Sequence, residues 1–391
     1  MIPYYNPHYG LKDLFKTVLC RNADEKLRQK FRDITGKKYI LICSSCRSAL
    51  YLAYKAIGKT GTVHTSPLTC KVALMPIIAA DNKISFQDIR EDDWTMESKN
   101  LERDLCDNSI AIQAIHLGGF PCDMPSLKRI AETNNLILIE DCAQGFGATI
   151  QGTVTGSLGD ISCFTLTKNL FSLGGGILAT NNRELYLTAK QEQESFPKER
   201  NLKIAYRIVL ALLSTYRSNW ACEIFYQRLK RNPVNKALTD DQDVLKKELK
   251  YPASIYAKSC VSRWGKIQRL VKQRKESAKI LLSDMDISKD KMQANPNAES
   301  AYTKLFVLSE RHSKATIRHL NQFGIEAMHL EHKHDTYYQE KLLDLDISEH
   351  DNIKLDIYNC LHDQIVSLPL AENLVRIGSG NVTSAIKDLI K

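Results

Sequence analysis

The sequence predicts an α/β protein, with a mostly parallel central sheet covered by helices and a smaller α+β unit at its carboxyl end. Three observations predict it. Short apolar runs alternate with amphipathic helical patterns over the first 180 residues, the rhythm of a parallel sheet whose crossovers are helices. One of these apolar runs closes on an acid, Asp141, and strand ends are where open α/β sheets bind ligands. The last hundred residues mix strand and helix patterns without that regular alternation.

Each element has a local reason. Residues 38–43 (KYILIC) form an apolar, β-rich run. A helix follows over 48–58, with Leu50, Leu52, Ala53, Ala56 and Ile57 at its apolar positions and Gly58 as its stop. A short strand is expected at 61–65, ending before Pro67, and then a helix over 69–80 that tolerates Pro76. Residues 83–86, 110–116 and 136–140 read as further strands. Between the last two, the spacing predicts a helix over 124–134, with Asp123 as its N-cap and Pro125 in its first turn. Residues 161–165 and 176–180 complete the strand set.

Residues 201–231 differ in character. They form a long, unusually apolar helical pattern flanked by Lys198, Arg200, Lys203, Arg228, Lys230 and Arg231. Two readings are open: a basic amphipathic segment in peripheral contact with a membrane, or a helical insertion packed on the main domain or across a dimer contact. Residues 246–250 read as a charged connector and 254–283 as a long basic helix. Strands at 301–308 and 364–368 and helices at 314–323 and 384–390 make up the α+β unit. The expected division is a large domain over 1–245, with its helical insertion at about 195–245, and a small domain over 246–391.

Composition narrows the function classes. Hydrophobic residues make up 43% of the 391 and charged residues 25%, the balance of a soluble globular protein. No run approaches the roughly 18–20 apolar residues that span a bilayer, and the first residues lack a basic stretch leading into an apolar core. Cytoplasmic residence is therefore expected. The net charge of +9 suits an acidic partner such as a nucleotide-linked substrate. With no zinc finger and no RNP-type strand, nucleic acid is not expected. Of the 11 cysteines, Cys43 and Cys46 have CxxC spacing at a strand-to-helix junction, where a helix start would lower a thiol pKa. The competing reading is two small residues at a crowded turn. No second CxxC completes a zinc site, and no metal is expected.

The chemistry concentrates between residues 136 and 180. Asp141 ends a buried strand, while Lys168 follows a second strand and precedes Gly174, Gly175 and Gly176. A lysine that can bind an aldehyde and an acid that can keep a pyridine nitrogen protonated are what pyridoxal 5'-phosphate (PLP) requires. Strand alternation turns Glu140 to the opposite face, and Gln144 lies within reach of the ring. Ser45, Cys46, Arg47 and Ser48, at a helix start, are the candidate phosphate cradle. Arg47 offers a bidentate contact, and Thr165 a hydroxyl.

These residues sit in a larger pattern. SSCRSALYLA (44–53), TSPLTCKVA (65–73), IHLGGFPCDM (115–124), IEDCAQGFGA (139–148), GSLGDISCF (156–164), TKNL (167–170) and VSLPL (366–370) run in order along the chain. Together they resemble the DegT/DnrJ/EryC1/StrS family of PLP-dependent sugar aminotransferases. The resemblance implies PLP fold type I (aspartate-aminotransferase-like) and a homodimer with active sites near the subunit boundary. It implies that Lys168 binds the cofactor covalently, that Asp141 pairs with its ring nitrogen and that Gln144 lies beside it. Cys46, Arg47 and Thr165 are placed at the phosphate. The family pattern has Gly-Thr where this chain has Cys46-Arg47, and an aromatic residue against the ring where it has Cys70. FTLTK is about two residues shorter than the usual segment, and the Asn-Tyr-Arg element stands here as Lys250-Tyr251-Pro252. The insertion at 201–231 is atypical.

The function expected is amino transfer, with glutamate as the implied donor, onto a keto sugar linked to a nucleotide. Such a step serves cell-surface polysaccharide or secondary-metabolite synthesis. The alternatives are another PLP reaction (dehydration, elimination or an amino-acid substrate) and a non-catalytic regulatory module on the same fold. His329, His332 and His334 form a histidine-rich stretch. The resemblance implies that His329 or His334 reaches the substrate; metal binding and an idle loop are the other readings.

Overall fold

The computed structural model describes residues 9–216, 220–230, 245, 249–285, 291–309, 313–322, 327–329, 355–361 and 363–368. At its centre is a seven-stranded sheet. In chain order the strands are β1 (Tyr39–Cys43), β2 (Thr62–Thr65), β3 (Lys83–Phe86), β4 (Ser109–Ile115), β5 (Ile137–Asp141), β8 (Ile161–Thr165) and β9 (Gly176–Thr180). Across the sheet they lie in the order β1-β9-β8-β5-β4-β2-β3. The pairs from β8 to β3 are parallel, and β9 is antiparallel to both of its neighbours. The expected mostly parallel sheet is therefore present, with β9 alone reversed. Two-residue strands β6 (Thr149–Ile150) and β7 (Thr153–Val154) pair beside it with β10 (Ala298–Glu299).

Helices cover both faces, each by an apolar stripe. The helix α3 (Cys46–Ile57) buries Leu50, Leu52, Ala53 and Ala56 as its sequence spacing predicts, buries Ala49 as well, leaves Ile57 half-buried, and ends at Gly58 in the left-handed conformation. It packs with α4 (Lys71–Ala79) and α6 (Arg183–Glu194) on one face of the sheet. On the other, α5 (Met124–Thr133) begins at Asp123, whose carboxylate accepts the Ser126 N–H at 3.4 Å.

Two helices precede β1, α1 (Leu11–Leu19) and α2 (Ala23–Thr35). The sequence reading leaves both unassigned, although α2 carries a clear stripe: Ala23, Leu27 and Phe31 are buried. Phe31 meets Phe164 of β8 edge-on, with ring centroids 5.1 Å apart. The 254–283 pattern forms two helices, Ser254–Val261 and Trp264–Met285. The first packs with α2, and Ala257, Cys260, Trp264 and Ile267 join the cluster around Phe31. At the carboxyl end β11 (Leu305–Leu308), β13 (Ile365–Leu368) and β12 (Met328–His329) form an antiparallel sheet backed by the helix Ser313–Gln322.

The 201–231 segment is two helices rather than one, α7 (Asn201–Thr215) and α8 (Trp220–Lys230). The inner side of α7, through Ile208, Ala211 and Leu212, packs against Leu14, Leu173 and Tyr256. Among the described residues no helix is long and apolar enough to cross a membrane.

The glycines after Lys168 have a packing reason. Gly175 has φ +97°, and a Cβ on Gly176 would run into the Ser45 carbonyl and the Cys46 nitrogen. Both clash partners are backbone, so they cannot step aside. Gly176→Ala is expected to lower stability by about 1–3 kcal/mol in urea unfolding. A change near zero would refute the idea that this close approach holds β9 against the start of α3.

Candidate active site

The carboxyl ends of β1, β2, β4, β5 and β8 open onto one cavity of about 520 Å³. That follows from topology: parallel strands deliver their connecting loops to the same edge of the sheet. The cavity is lined by Cys46 and Arg47 after β1, Cys70 after β2, Asp141 at the end of β5, Gln144 beyond it, Thr165 at the end of β8 and Lys168 beyond it. Residues separated by 122 positions in sequence thus face one another. His329 is on β12, and His332 and His334 lie outside the described residues.

Asp141 is 2% exposed. Its Oδ1 accepts the Ala143 N–H at 3.0 Å, and its Oδ2 is 3.3 Å from the Gln113 amide nitrogen, which donates. Burial pushes its carboxyl above the usual carboxylate range; the Ala143 N–H, the Lys168 charge and Gln113 offset this only in part. A dry carboxylate short of donors is suited to a cationic or N–H-bearing ligand group.

The neighbouring acid behaves differently. Glu140 faces the α5 side with Leu138 and is fully buried. Its oxygens accept the Gly159 N–H at 2.5 Å and the Gly156 N–H at 2.7 Å, and lie 3.2 Å from His116 Nε2. Burial alone would raise its pKa, but the hydrogen bonds from His116, Gly159 and Gly156 together hold it below the ordinary value. Because His116 Nδ1 accepts the Cys122 N–H at 3.2 Å, Nε2 carries the proton that faces Glu140. Among the described residues, His116, Glu140 and Cys142 are the one group close enough to hold a metal. The first two are already spent on one another.

Helix α3 starts at the cavity. Ser45 caps it, accepting the Ser48 N–H at 3.1 Å. Cys46 Sγ donates to Asp141 Oδ1 over 3.9 Å. The expectation that this junction lowers a thiol pKa is corrected. Burial raises Cys43 to about 12 and Cys46 well above the ordinary thiol value, with the Asp141 charge adding to the latter. Desolvation of the thiolate outweighs the helix dipole when the sulfur is dry. All 11 cysteines are free.

The lysine turn is clamped from beneath. Asn169, next to Lys168, donates to the Gln144 and Phe146 carbonyls at 3.0 and 3.1 Å and accepts from Arg274 Nη1 at 2.7 Å. Arg263 Nη1 donates to the Phe171 carbonyl at 2.6 Å, and Ser172 Oγ bonds Ser259 Oγ at 2.6 Å. Gln144 Oε1 accepts the Gly118 N–H at 2.7 Å, and Thr165 Oγ1 lies 2.9 Å from Thr167 Oγ1.

Sequence reasoning did not single out His116, Lys304, Arg207, Ser214 and Tyr226, which also line the cavity. His116 stands inside a motif that was read, IHLGGFPCDM. The other four come from segments whose distance from the sheet the sequence does not encode.

Residues 17–201 match the sequence model of the DegT/DnrJ/EryC1/StrS aminotransferase family. The chain is 32% identical over 198 residues to a GDP-perosamine synthase of Escherichia coli O157:H7, covering 47% of this chain and 54% of that one. It is 32% identical over 179 residues to a UDP-4-amino-4,6-dideoxy-N-acetyl-beta-L-altrosamine transaminase of Campylobacter jejuni, covering 44% of each. The matched region therefore spans about half the length of these curated relatives. The solved sugar aminotransferase CalS13 of Micromonospora echinospora shares the fold, with a TM-score of 0.74 at 17% identity over 99% of this chain and all of that one.

The state of Asp141 has a measurable consequence. Its folded-state pKa lies above that of the unfolded chain, so cofactor-free stability is highest below the unfolded value and falls as pH rises through the folded one. Asp141→Asn removes this titration. The cofactor-free variant is expected to melt roughly 2–5 °C above wild type at pH 7, with the gap closing in acid. A lower melting temperature at pH 7 would show that burial does not burden this carboxylate.

Proposed function

From the match of residues 17–201 to the DegT/DnrJ/EryC1/StrS aminotransferase family model, we propose that this chain is a PLP-dependent aminotransferase acting on a keto sugar linked to a nucleotide. The observation that carries it is the meeting of Lys168, Asp141 and the start of α3 in one cavity at the strand ends. Aminotransferases of this family use PLP, and the cavity's chemistry fits it. A buried carboxylate, a lysine and the start of a helix line the same cavity.

When bound, PLP supplies an aldehyde carbon for the amino group and a ring that draws off electrons. Lys168 Nζ would hold it covalently and would be the base placed to accept the α-proton of the amino donor. The role of Asp141 is to hold a proton on the ring nitrogen, a contact that also satisfies its own buried charge. Cys46, Arg47 and Thr165 are proposed at the phosphate, and Cys70 and Gln144 beside the ring. The Asn169 and Arg263 contacts would hold the lysine turn in one position. Glutamate is the proposed donor.

A homodimer in the cytoplasm is the proposed working form. Leu11, Phe15, Val18 and Leu19 lie along α1 at helical spacing and are 60–66% exposed, an apolar row that calls for a cover. Free cysteines agree with a reducing compartment.

Two tests follow. Purified wild type is expected to be yellow and to change its absorbance on addition of glutamate. Lys168→Ala should lose that colour and at least about a hundredfold in turnover while its far-UV circular dichroism stays unchanged. A variant that keeps turning over removes Lys168 from the mechanism. Light scattering should give twice the chain mass, and Leu11→Ser with Phe15→Ser should halve it. A wild-type monomer that floats with anionic vesicles would assign the apolar surface to a membrane instead.

A further inference from the structure

The stretch that matches the family ends at residue 201, and α7 begins at Asn201. Yet α7 and α8 contribute Arg207, Leu210, Ala211, Ser214 and Tyr226 to the wall of the cavity that holds Lys168. The insertion is therefore part of the site, although it lies outside the segment that carries the lysine and the acid.

Two features of that wall are those of a binding surface. The first is Ser214. It is 5% exposed, and its hydroxyl has no hydrogen-bond partner among the described residues. A buried hydroxyl left unpaired costs about 1–3 kcal/mol, and a helical serine has its own i−4 carbonyl at hand. Ser214 does not use it, and its side chain lines the cavity.

The second is Arg207. Its Nη1 donates to Tyr256 Oη at 2.6 Å, Tyr256 Oη donates to Glu199 Oε2 at 2.6 Å, and Nη2 lies 3.6 Å from Glu199 Oε1. The guanidinium carbon stands 5.2 Å from the centre of the Tyr256 ring. Glu199 also faces Lys203 at 3.4 Å, so two cations share one acid and the cluster keeps a surplus positive charge. Gly174 completes the arrangement, because a Cβ there would collide with Arg207 Nη1 and with the Tyr256 ring. Arg207 is thus held in place at the cavity wall by contacts that use part of its five-donor fork.

We propose that α7 and α8 form a substrate-recognition cap in which Arg207 binds the diphosphate of a nucleotide-linked acceptor and Ser214 hydrogen-bonds a hydroxyl of the same ligand. This rests on the aminotransferase reading for its substrate class. A fixed guanidinium with spare donors suits phosphoryl oxygens, and a dry hydroxyl suits a sugar. Leu210 and Ala211, on the same helix, give the wall an apolar strip between them. The cap acts in binding, so its loss weakens the acceptor.

The test is calorimetric titration of the cofactor-loaded full chain with UDP, GDP and dTDP. Wild type is compared with Arg207→Ala, Arg207→Lys and Ser214→Ala, and melting curves serve as the folding control. For whichever diphosphate wild type binds best, Arg207→Ala is expected to weaken binding about tenfold or more, and Ser214→Ala about three- to tenfold. Arg207→Lys should recover part of the loss. The glutamate-driven absorbance change is recorded for wild type as the separate test of the aminotransferase reading. The cap is ruled out by affinities within twofold of wild type in folded Arg207→Ala and Ser214→Ala. It is equally ruled out if wild type binds none of the three, or if Arg207→Ala weakens PLP rather than the nucleotide. A wild type that binds a diphosphate but never responds to glutamate refutes the aminotransferase reading and leaves the cap standing.

Discussion

A carboxylate that ends a central strand, away from water, is the constraint around which this molecule is organised. Asp141 is buried with few donors, and burial drives its carboxyl upward despite the Lys168 charge nearby. Such a group is stable as an anion only opposite a proton donor or a cation. The lysine turn must therefore come back to the same strand edge, and it does so under restraint from Asn169, Arg263 and Ser172. Even the Cys46 thiol is drawn in: held protonated by burial and by the Asp141 charge, it is a donor to the acid and not a nucleophile.

Adjacent acids on one strand illustrate how position alone divides labour. Glu140 and Asp141 differ by one methylene, and the strand turns them to opposite faces. Glu140 meets fixed donors, the Gly156 and Gly159 N–H groups and His116, and these hold its carboxyl below the ordinary value despite burial. It fastens a loop. Asp141 meets fewer donors and is left with capacity for a ligand. Structural and chemical acids are thus separated by what the surrounding backbone offers each carboxylate, not by residue type.

The site also divides by origin in the chain. Loops at the strand ends bring the lysine, the acid and the helix start together, because a parallel sheet sends every such loop to one edge. Helices α7 and α8 approach the same space from outside the sheet and bring a different kind of wall, an arginine held by an aromatic hydroxyl and an acid, with a serine hydroxyl beside an apolar strip. Under the proposed roles, the reactive groups rest on the rigid element and the ligand-choosing groups on an added one, an arrangement in which recognition can vary without moving the chemistry.

Local pattern determined much of this protein. Short apolar runs located the seven central strands to within a residue or two, and the caps at Asp123 and Gly58 marked helix ends. Lys168 and Asp141 were legible because each sits where a strand signal stops. Helices α1 and α2 were not assigned although Ala23, Leu27 and Phe31 form a stripe, since the polar residues between them mask it. The reversal of β9 was hidden, because an apolar run carries no direction. So was the fate of the Cys43 and Cys46 thiols, where the helix start and burial act in opposite senses and only the packed sulfur shows that burial wins. Arg207 and Ser214 could not be read at all. Residues alone fixed which groups could do chemistry at the strand ends, whereas only the tertiary structure decided what stands over them. Periodicity reports which face of a helix is apolar, but which surface that face comes to rest against is a matter of long-range packing.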